Sequence, residues 1–418
     1  KNIYKRKDSI GFTDINTFIE KKTKFNSLHE ACLTGDRKIV HQMIKKGYDI
    51  QERDNEHRTP LHVASKNGSV ELVGYLLNNG ADPNSSDKAG WRPLHYAASY
   101  GHHEIVDEIL KWSNHLEPVT TIEGYTPLHL AIFNRHISII QLLLYHGADI
   151  NRKDRSGSSP LHAAALVGDL DTIEIIISNE GDITLCDYHG YTALDYASQQ
   201  GHSDCIKYLI TNGADVSHID TLWKTALHKC CEFSHPQAVR TLIQCGAAIE
   251  VLDKLGQTPL LKACTNGHVE VVQALVNHKA NIEACDFGGL TALHLAARNG
   301  HTKMVEFLIN RGIMVNILDS NGNTPLHCAC MGRYVNTAIV LLRNGARPEI
   351  LNKSGLLAYY YFSASGGKKS FVNPSILMRA PNIPSDKYRN RITRILNVSM
   401  SGELHLLRQC KREIGLNL

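Results

Sequence analysis

The stretch TALHLAARNGHTKMVEFLINRG, residues 291–312, decides the fold of this chain. Its apolar residues lie on one helical face between positions 293 and 297, and a second apolar stripe follows between positions 304 and 309. Gly300 and Gly312 follow the two stripes, and glycine is common where helices end. The stretch therefore predicts a helix–turn–helix unit whose two short helices each end at a glycine.

The same pattern recurs through most of the chain. The leucine of its first helix falls at Leu28, Leu61, Leu94, Leu128, Leu161, Leu194, Leu227, Leu260, Leu293 and Leu326. The interval is 33 residues except once, where the segment Glu117–Gly124 adds one residue. A single helix pair cannot bury its apolar face alone, whereas stacked pairs bury it against their neighbours. The chain is therefore predicted to contain ten stacked helix pairs.

A specific motif surrounds the repeat leucine. Thr-Pro-Leu-His stands at 59–62, 126–129 and 324–327, and Thr-Ala-Leu-His at 225–228 and 291–294. The full pattern, Asp-x-x-Gly-x-Thr-Pro-Leu-His-x-Ala-Ala-x-x-Gly-His, resembles the ankyrin repeat over residues 25–350. The resemblance implies an all-α fold, an ankyrin-repeat α-solenoid whose helix pairs are connected by β-turn or hairpin loops.

The two ends of the chain depart from the pattern. Residues 1–24 are predicted to be a polar, basic leader before the array at 25–350. Residues 351–418 are predicted to be a degenerate repeat, with Tyr359 in the leucine position, followed by an irregular insert and a closing helix pair.

Composition and charge restrict the classes of function. The 45 basic and 41 acidic residues give a net charge of +4, too small to favour nucleic acid or a membrane surface. The sequence has no run of 18 apolar residues, so we expect no membrane insertion. The 11 cysteines lack Cys-x-x-Cys pairs, which is typical of reduced thiols in the cytoplasm or nucleus.

The histidines and carboxylates follow the repeat and form no recognisable catalytic or metal-binding motif. Eight histidines end the Pro-Leu-His motif or its variants: His29, His62, His95, His129, His162, His228, His294 and His327. Four more follow the first-helix glycine: His102, His202, His268 and His301. The resemblance implies that these imidazoles are hydrogen-bonding struts. Eight aspartates share one turn position, where a short acceptor closes the turn: Asp54, Asp87, Asp154, Asp187, Asp220, Asp253, Asp286 and Asp319. We expect no enzyme activity, no metal and no cofactor.

Five positions of each repeat are dictated neither by packing nor by turn geometry. Counted from the repeat leucine they are −6, −5, −3, +5 and +6, and the resemblance implies that they line a concave partner-binding groove. Here they carry the aromatic candidates Trp91, Tyr100, Tyr125, Phe133, Tyr188, Tyr191, Phe233 and Phe287, and the basic candidates Arg58, Lys88, Arg155 and Lys224. Because Trp and Tyr are enriched at binding hot spots, we expect the partner to be another protein or an extended peptide, apolar with some acidic residues.

Trp91 and Tyr125 share position −3 in successive repeats. They are predicted to lie side by side on adjacent turn tips and to contact the partner. The alternative is that some apolar side chains fold over neighbouring turns and pack within the array, as expected for Leu166, Val167 and Leu222.

Two turn positions that usually hold glycine hold His57 and Trp223 instead. If the backbone there keeps a positive φ, each residue is strained by roughly 1 kcal/mol.

The C-terminus leaves further functions open. Leu406, Cys410 and Ile414 resemble the elongin-binding start of a suppressor-of-cytokine-signalling box, which would make the chain a substrate receptor of a cullin-RING ubiquitin ligase. An ordinary second helix of a repeat explains the same residues. A third alternative is the cytosolic ankyrin array of a larger protein such as an ion channel. The sequence does not indicate the oligomeric state.

Overall fold

The computed structural model describes residues 27–112 and 121–363. Within these ranges the chain forms ten helix pairs and one short additional helix, which confirms the predicted all-α repeat fold. The helices are α1 (Leu28–Thr34), α2 (Arg37–Lys45), α3 (Pro60–Asn67), α4 (Val70–Asn78), α5 (Pro93–Tyr100), α6 (His103–Trp112), α7 (Pro127–Phe133), α8 (Ile137–Tyr145), α9 (Pro160–Val167), α10 (Leu170–Ser178), α11 (Ala193–Gln200), α12 (Ser203–Thr211), α13 (Ala226–Phe233), α14 (Pro236–Gln244), α15 (Pro259–Asn266), α16 (Val269–Asn277), α17 (Ala292–Arg298), α18 (Thr302–Asn310), α19 (Pro325–Met331), α20 (Val335–Arg343) and α21 (Tyr360–Ser363).

The chain divides into two compact units, unit 1 (Lys1–Arg155) and unit 2 (Ser156–Leu418). Helices α1–α8 belong to unit 1 and helices α9–α21 to unit 2. None of the helices in the described ranges combines the length and apolarity that crossing a membrane requires.

Several predictions concern residues outside the described ranges. These are the leader at 1–24, the first half of the segment with the inserted residue (117–120), and the insert and closing helix pair after residue 363. The elongin-type residues Leu406, Cys410 and Ile414 also lie there. The predicted domain boundaries stay predictions.

Helix α17 shows how the sequence builds each pair. The His294 Nδ1 atom lies 2.9 Å from the Thr291 hydroxyl and accepts the Thr291 N–H over 3.3 Å, which satisfies groups at the helix start. Gly300 and Gly312 adopt φ values of 74° and 86°, the left-handed conformation that ends a helix without a Cβ clash. The predicted start and ends are confirmed.

The repeat leucines form the centre of the core. Within each unit, first helices pack on first helices of the neighbouring repeats, and second helices pack on second helices. All ten repeat leucines are at most 5% exposed. Since burying a leucine side chain contributes about 1.5–3 kcal/mol, these leucines stabilise the packing between neighbouring repeats within each unit.

Imidazoles join neighbouring repeats, as predicted. In six repeats the Nε2 atom of the motif histidine lies 2.7–3.1 Å from a carbonyl oxygen 29 residues further along the chain. In His228 the Nδ1 atom accepts the N–H of Thr225, so Nε2 carries the ring proton and donates to the Gln257 carbonyl. Burial lowers the pKa of His228 to about 4, which keeps the ring neutral.

A second set of imidazoles bonds backward to the preceding repeat. Their Nε2 atoms lie 2.9–3.4 Å from carbonyl oxygens 36 or 37 residues earlier, in His102, His136, His202, His235, His268 and His301. The sequence pattern missed two of them because Arg135 and Ser234 replace the glycine that precedes the histidine. Both residues adopt the left-handed conformation of that glycine, with φ values of 58° and 69°.

Seven turn aspartates close their turns, which confirms the predicted role at these positions. One carboxylate oxygen of Asp187 accepts the N–H groups of His189 and Tyr191, each over 2.8 Å. The same pair of hydrogen bonds forms at Asp54, Asp87, Asp220, Asp253, Asp286 and Asp319.

Candidate functional site

The turn tips of unit 2 form a connected series. Each tip comprises the three residues after a turn aspartate, and four consecutive tips span residues 188–190, 221–223, 254–256 and 287–289. In every adjacent pair a main-chain N–H donates to a carbonyl of the preceding tip, over 3.0–3.3 Å. These hydrogen bonds hold the tips of successive repeats side by side.

Large apolar side chains project from these tips into solvent. The turn-tip row consists of Tyr188 (72% exposed), Leu222 (49%), Trp223 (51%), Leu255 (63%) and Phe287 (70%). Large side chains of this type are usually removed from water, and contiguous exposed apolar patches mark interaction sites. The exposure of Leu222 also shows that the expectation of its packing within the array is wrong.

Glycines orient the two most exposed rings of the row. A Cβ added to Gly157 would lie 3.0 Å from a ring carbon of Tyr188, and one added to Gly256 would lie 2.6 Å from the ring of Phe287. Both rings therefore lie directly over glycine backbone of the preceding tip. Each ring thus packs on main chain although most of its surface is exposed.

The aromatic residues at position −3 lie at the bases of the turns, not at the tips. Trp91, Tyr125 and Tyr191 are half-buried. The Trp91 ring packs 5.0 Å from Tyr96, and the Tyr125 ring packs 5.4 Å from Phe133. The predicted placement of Trp91 and Tyr125 on the tips is thus corrected, because each ring finds an aromatic neighbour on the first helix of its own repeat. Their contact with a partner stays a prediction.

The remaining aromatic candidates lie near the ends of first helices. Tyr100 and Phe233 are exposed, whereas Phe133 is half-buried against Tyr125. The Tyr100 ring stacks on His102 with centroids 6.4 Å apart, which supports an exposed ring from one side. These residues also stay predicted contacts.

The predicted basic residues differ in their availability. Arg58 pairs with Asp54 over 2.7 Å, and Lys224 pairs with Glu232 over 2.7 Å. Lys88 and Arg155 are exposed. Sequence alone did not separate these cases, because each pairing depends on which carboxylate the turn brings near.

Lys254 is a basic tip residue that the sequence analysis did not select. It holds position −6 beside Leu255 of the turn-tip row, and its side chain is exposed. Its Nζ atom lies 6.0 Å from the centroid of the Trp223 ring on the preceding tip. The repeat position of Lys254 could have identified it, since −6 is one of the five positions expected to line the partner-binding groove.

A buried ion pair beneath the tips was also missed. Lys229 donates to the Asp220 carboxylate, and the two side chains are 1% and 0% exposed. The Lys229 Nζ atom also lies 3.4 Å from the centroid of the Tyr191 ring. The next repeat has a similar pair, Lys262 with Asp253, over 3.0 Å. The sequence feature that could have identified both ion pairs is a lysine two residues after the repeat leucine, where most repeats carry an apolar residue or tyrosine.

Asp195 replaces the strut histidine in its repeat. One of its oxygens accepts the N–H of Thr192 over 2.9 Å, while the other is buried with no hydrogen-bond partner among the described residues. Burial raises the pKa of Asp195 to about 6, although the Thr192 hydrogen bonds and the charge of Lys229 act to lower it. The interface between this repeat and the next therefore lacks the forward strut of the motif histidine and contains a buried carboxyl, while His235 still bonds backward to Gln199.

The described residues give no indication of metal chemistry or of reactive thiols in the core. They contain no group of three or more His, Cys, Asp or Glu side chains that could hold a metal ion. Burial raises the pKa of Cys230 and of Cys328 to about 12, so these thiols stay protonated.

The match of a protein-family model agrees with this repeat geometry. The family model described as ankyrin repeats (3 copies) matches residues 11–87, 80–154, 153–220, 217–286 and 280–352. The crystal structure of the ankyrin repeat domain of Bcl-3, titled a unique member of the IκB protein family, is 28% identical with a TM-score of 0.45, covering 49% of this chain and 94% of that chain. No curated protein matches the chain. Because the family matches together extend over residues 11–352, the chain belongs to the ankyrin repeat family.

Proposed function

We propose that this chain binds another protein through the turn-tip row of unit 2. Ankyrin repeats generally mediate protein–protein interactions and are typically non-enzymatic. The observation that supports this site is the exposure of five large apolar side chains on four consecutive tips. Covering such a patch with a partner removes apolar surface from water, and Tyr, Trp and Phe are residues that anchor interfaces.

The backbone that carries the row is ordered before any partner arrives. The turn aspartates hold each tip, and main-chain hydrogen bonds join neighbouring tips. A partner therefore bears little entropic cost for ordering these loops, which favours affinity. This combination of a fixed backbone and exposed apolar side chains supports the proposed scaffold function.

In unit 1 the proposed contacts are weaker candidates. Tyr100 is exposed, and Lys88 and Arg155 are exposed cations at position −6. Trp91 and Tyr125 are half-buried, so their substitution would change packing as well as any contact.

Affinity purification of the full chain, followed by quantitative mass spectrometry, tests the proposed function. We expect specific partners of the wild-type chain to be lost from the variant Tyr188→Ser/Phe287→Ser. The control is Tyr145→Ser, which removes an 86% exposed tyrosine from the second-helix side and should retain the partners. Equal recovery of all partners by the three proteins would contradict binding through the row.

A further inference from the structure

We infer that the partner segment of the turn-tip row places a carboxylate at Lys254, about three residues from an apolar anchor. This inference rests on the proposed function, and it adds the chemistry and spacing of the partner.

The tips of unit 2 are basic or uncharged. The three-residue tips from Tyr188 to Gly322, together with the equivalent residues Lys353–Gly355 after Asn352, contain Lys254 and Lys353 but no aspartate or glutamate. In unit 1, by contrast, Glu56 and Glu123 lie at position −5. The row in unit 2 therefore combines apolar side chains with positive charge, and an apolar partner with negative charge is complementary to it.

Lys254 is positioned to use its charge on a partner. It is exposed, and in the part of the chain that the structure describes it forms no ion pair. Two carboxylates of its own and the preceding repeat are engaged elsewhere, since Asp253 pairs with Lys262 and Glu232 with Lys224. A partner carboxylate would meet an ammonium group that no described carboxylate neutralises.

Trp223 supplies apolar surface beside Lys254. It adopts a φ of 61°, and half of its surface is exposed. The same tip position holds glycine in the other repeats from the third onward: Gly90, Gly124, Gly157, Gly190, Gly256, Gly289, Gly322 and Gly355. A bulky residue in the left-handed region is strained, and strain of this kind occurs preferentially at ligand-binding positions. The Lys254 ammonium offers a partner carboxylate a positive charge, and the nearby Trp223 ring offers it an apolar surface.

The repeat spacing determines the register of the partner. Neighbouring helices pack roughly 8–10 Å apart, and an extended chain advances about 3.3 Å per residue. One repeat thus corresponds to about three partner residues. Lys254 and Phe287 belong to adjacent tips, and Tyr188 and Phe287 are three tips apart. The expected segment has an acidic residue about three positions from one apolar anchor, and a second apolar anchor about nine positions from the first.

Selection of random 12-residue peptides displayed on phage, with the full chain as bait, tests this inference. The wild-type chain should enrich peptides with Asp or Glu about three residues from an aromatic or branched aliphatic residue. Lys254→Glu should abolish the acidic preference and weaken binding of a selected peptide at least tenfold. Lys207→Glu, the same charge change at an exposed position of α12, should leave both unchanged.

The outcomes separate the inference from the proposed function. Enrichment of apolar peptides that lack acidic residues but still need Tyr188 and Phe287 for binding would overturn this inference and leave the proposed function intact. An acidic preference that persists in Lys254→Glu would also overturn it. Failure to enrich any peptide, or enrichment that Tyr188→Ser/Phe287→Ser leaves intact, would overturn the proposed function.

Discussion

Substitution of Lys229 tests the energetic role of the buried charges beneath the turn tips. In Lys229→Met the carboxylate of Asp220 keeps its two backbone amide donors but loses its ammonium partner. Removing one member of a buried ion pair costs about 3–5 kcal/mol, and we expect about 3 kcal/mol here because the amides remain. Burial would raise the pKa of Asp220, but the hydrogen bonds from Lys229 and the amides hold that pKa below its usual value. The stabilisation is therefore present at neutral pH and is lost as the pH falls through that lowered pKa.

The same positions in other repeats suggest how the loss can be recovered. His162 of one repeat packs edge-on against Tyr196 of the next, with ring centroids 5.7 Å apart. The Tyr196 hydroxyl donates to Asp187 over 2.8 Å. Asp195 and Lys229 occupy the equivalent positions one repeat further on. Lys229→Tyr alone should be destabilising, because Asp195 loses the nearby positive charge. The double variant Asp195→His/Lys229→Tyr should be within about 1 kcal/mol of the wild-type chain, since the two changes are coupled.

Thermal and urea denaturation measure these changes, and amide hydrogen exchange assigns them to α11–α14. A loss of about 3 kcal/mol corresponds to a fall in Tm of roughly 6–12 °C for a unit of this size. Lys303→Met, at an exposed position of α18, serves as the control and should change stability by less than about 0.5 kcal/mol. An unchanged Tm for Lys229→Met would show that the desolvation cost of the pair cancels its attraction, and the reasoning would fail.

Three further substitutions have defined outcomes in denaturation experiments. Trp223→Gly should stabilise unit 2 by about 1 kcal/mol because it relieves a positive φ, and a lower Tm would show that the indole packs. Asp195→Asn should raise the free energy of unfolding by about 1–2 kcal/mol at pH 8 and change it little below pH 4. The reason is that the raised pKa of Asp195 makes its ionisation destabilising as the pH rises through about 6, and equal effects at both pH values would contradict this. Gly267→Ala should cost at least about 1 kcal/mol, since the residue has a φ of 78° and a Cβ there would lie 2.5 Å from the His301 ring; an unchanged Tm would refute the argument.

Much of the fold could be predicted because it depends on local periodicity. The interval of the repeat leucines identified the helix pairs and the buried leucines of each unit, from Leu28 to Leu128 in unit 1 and from Leu161 to Leu326 in unit 2. The turn aspartates and the motif histidines were also predictable, because each acts at a fixed distance along the chain. His57 and Trp223 adopt the positive φ that their glycine-type positions require, with values of 60° and 61°.

The site was less predictable because exposure depends on neighbouring side chains. Position −3 looked free in the sequence, yet Trp91 is half-buried because Tyr96 offers it a ring to pack on. Lys224 looked like a free cation, yet Glu232 at position +5 of the same repeat neutralises it. The ion pair of Lys229 could not be predicted, because it depends on the turn bringing Asp220 within hydrogen-bonding distance of the first helix.

Binding through the turn-tip row is tested most directly by titrating a peptide selected on the full chain against the wild type and Tyr188→Ser/Phe287→Ser. Each aromatic hot spot contributes about 2 kcal/mol, so the double variant, which loses both and about 4 kcal/mol together, should bind about 1,000-fold more weakly. Its Tm should match that of the wild type, because both rings are exposed. An unchanged Kd would contradict the account, and so would a loss of binding accompanied by a large fall in Tm.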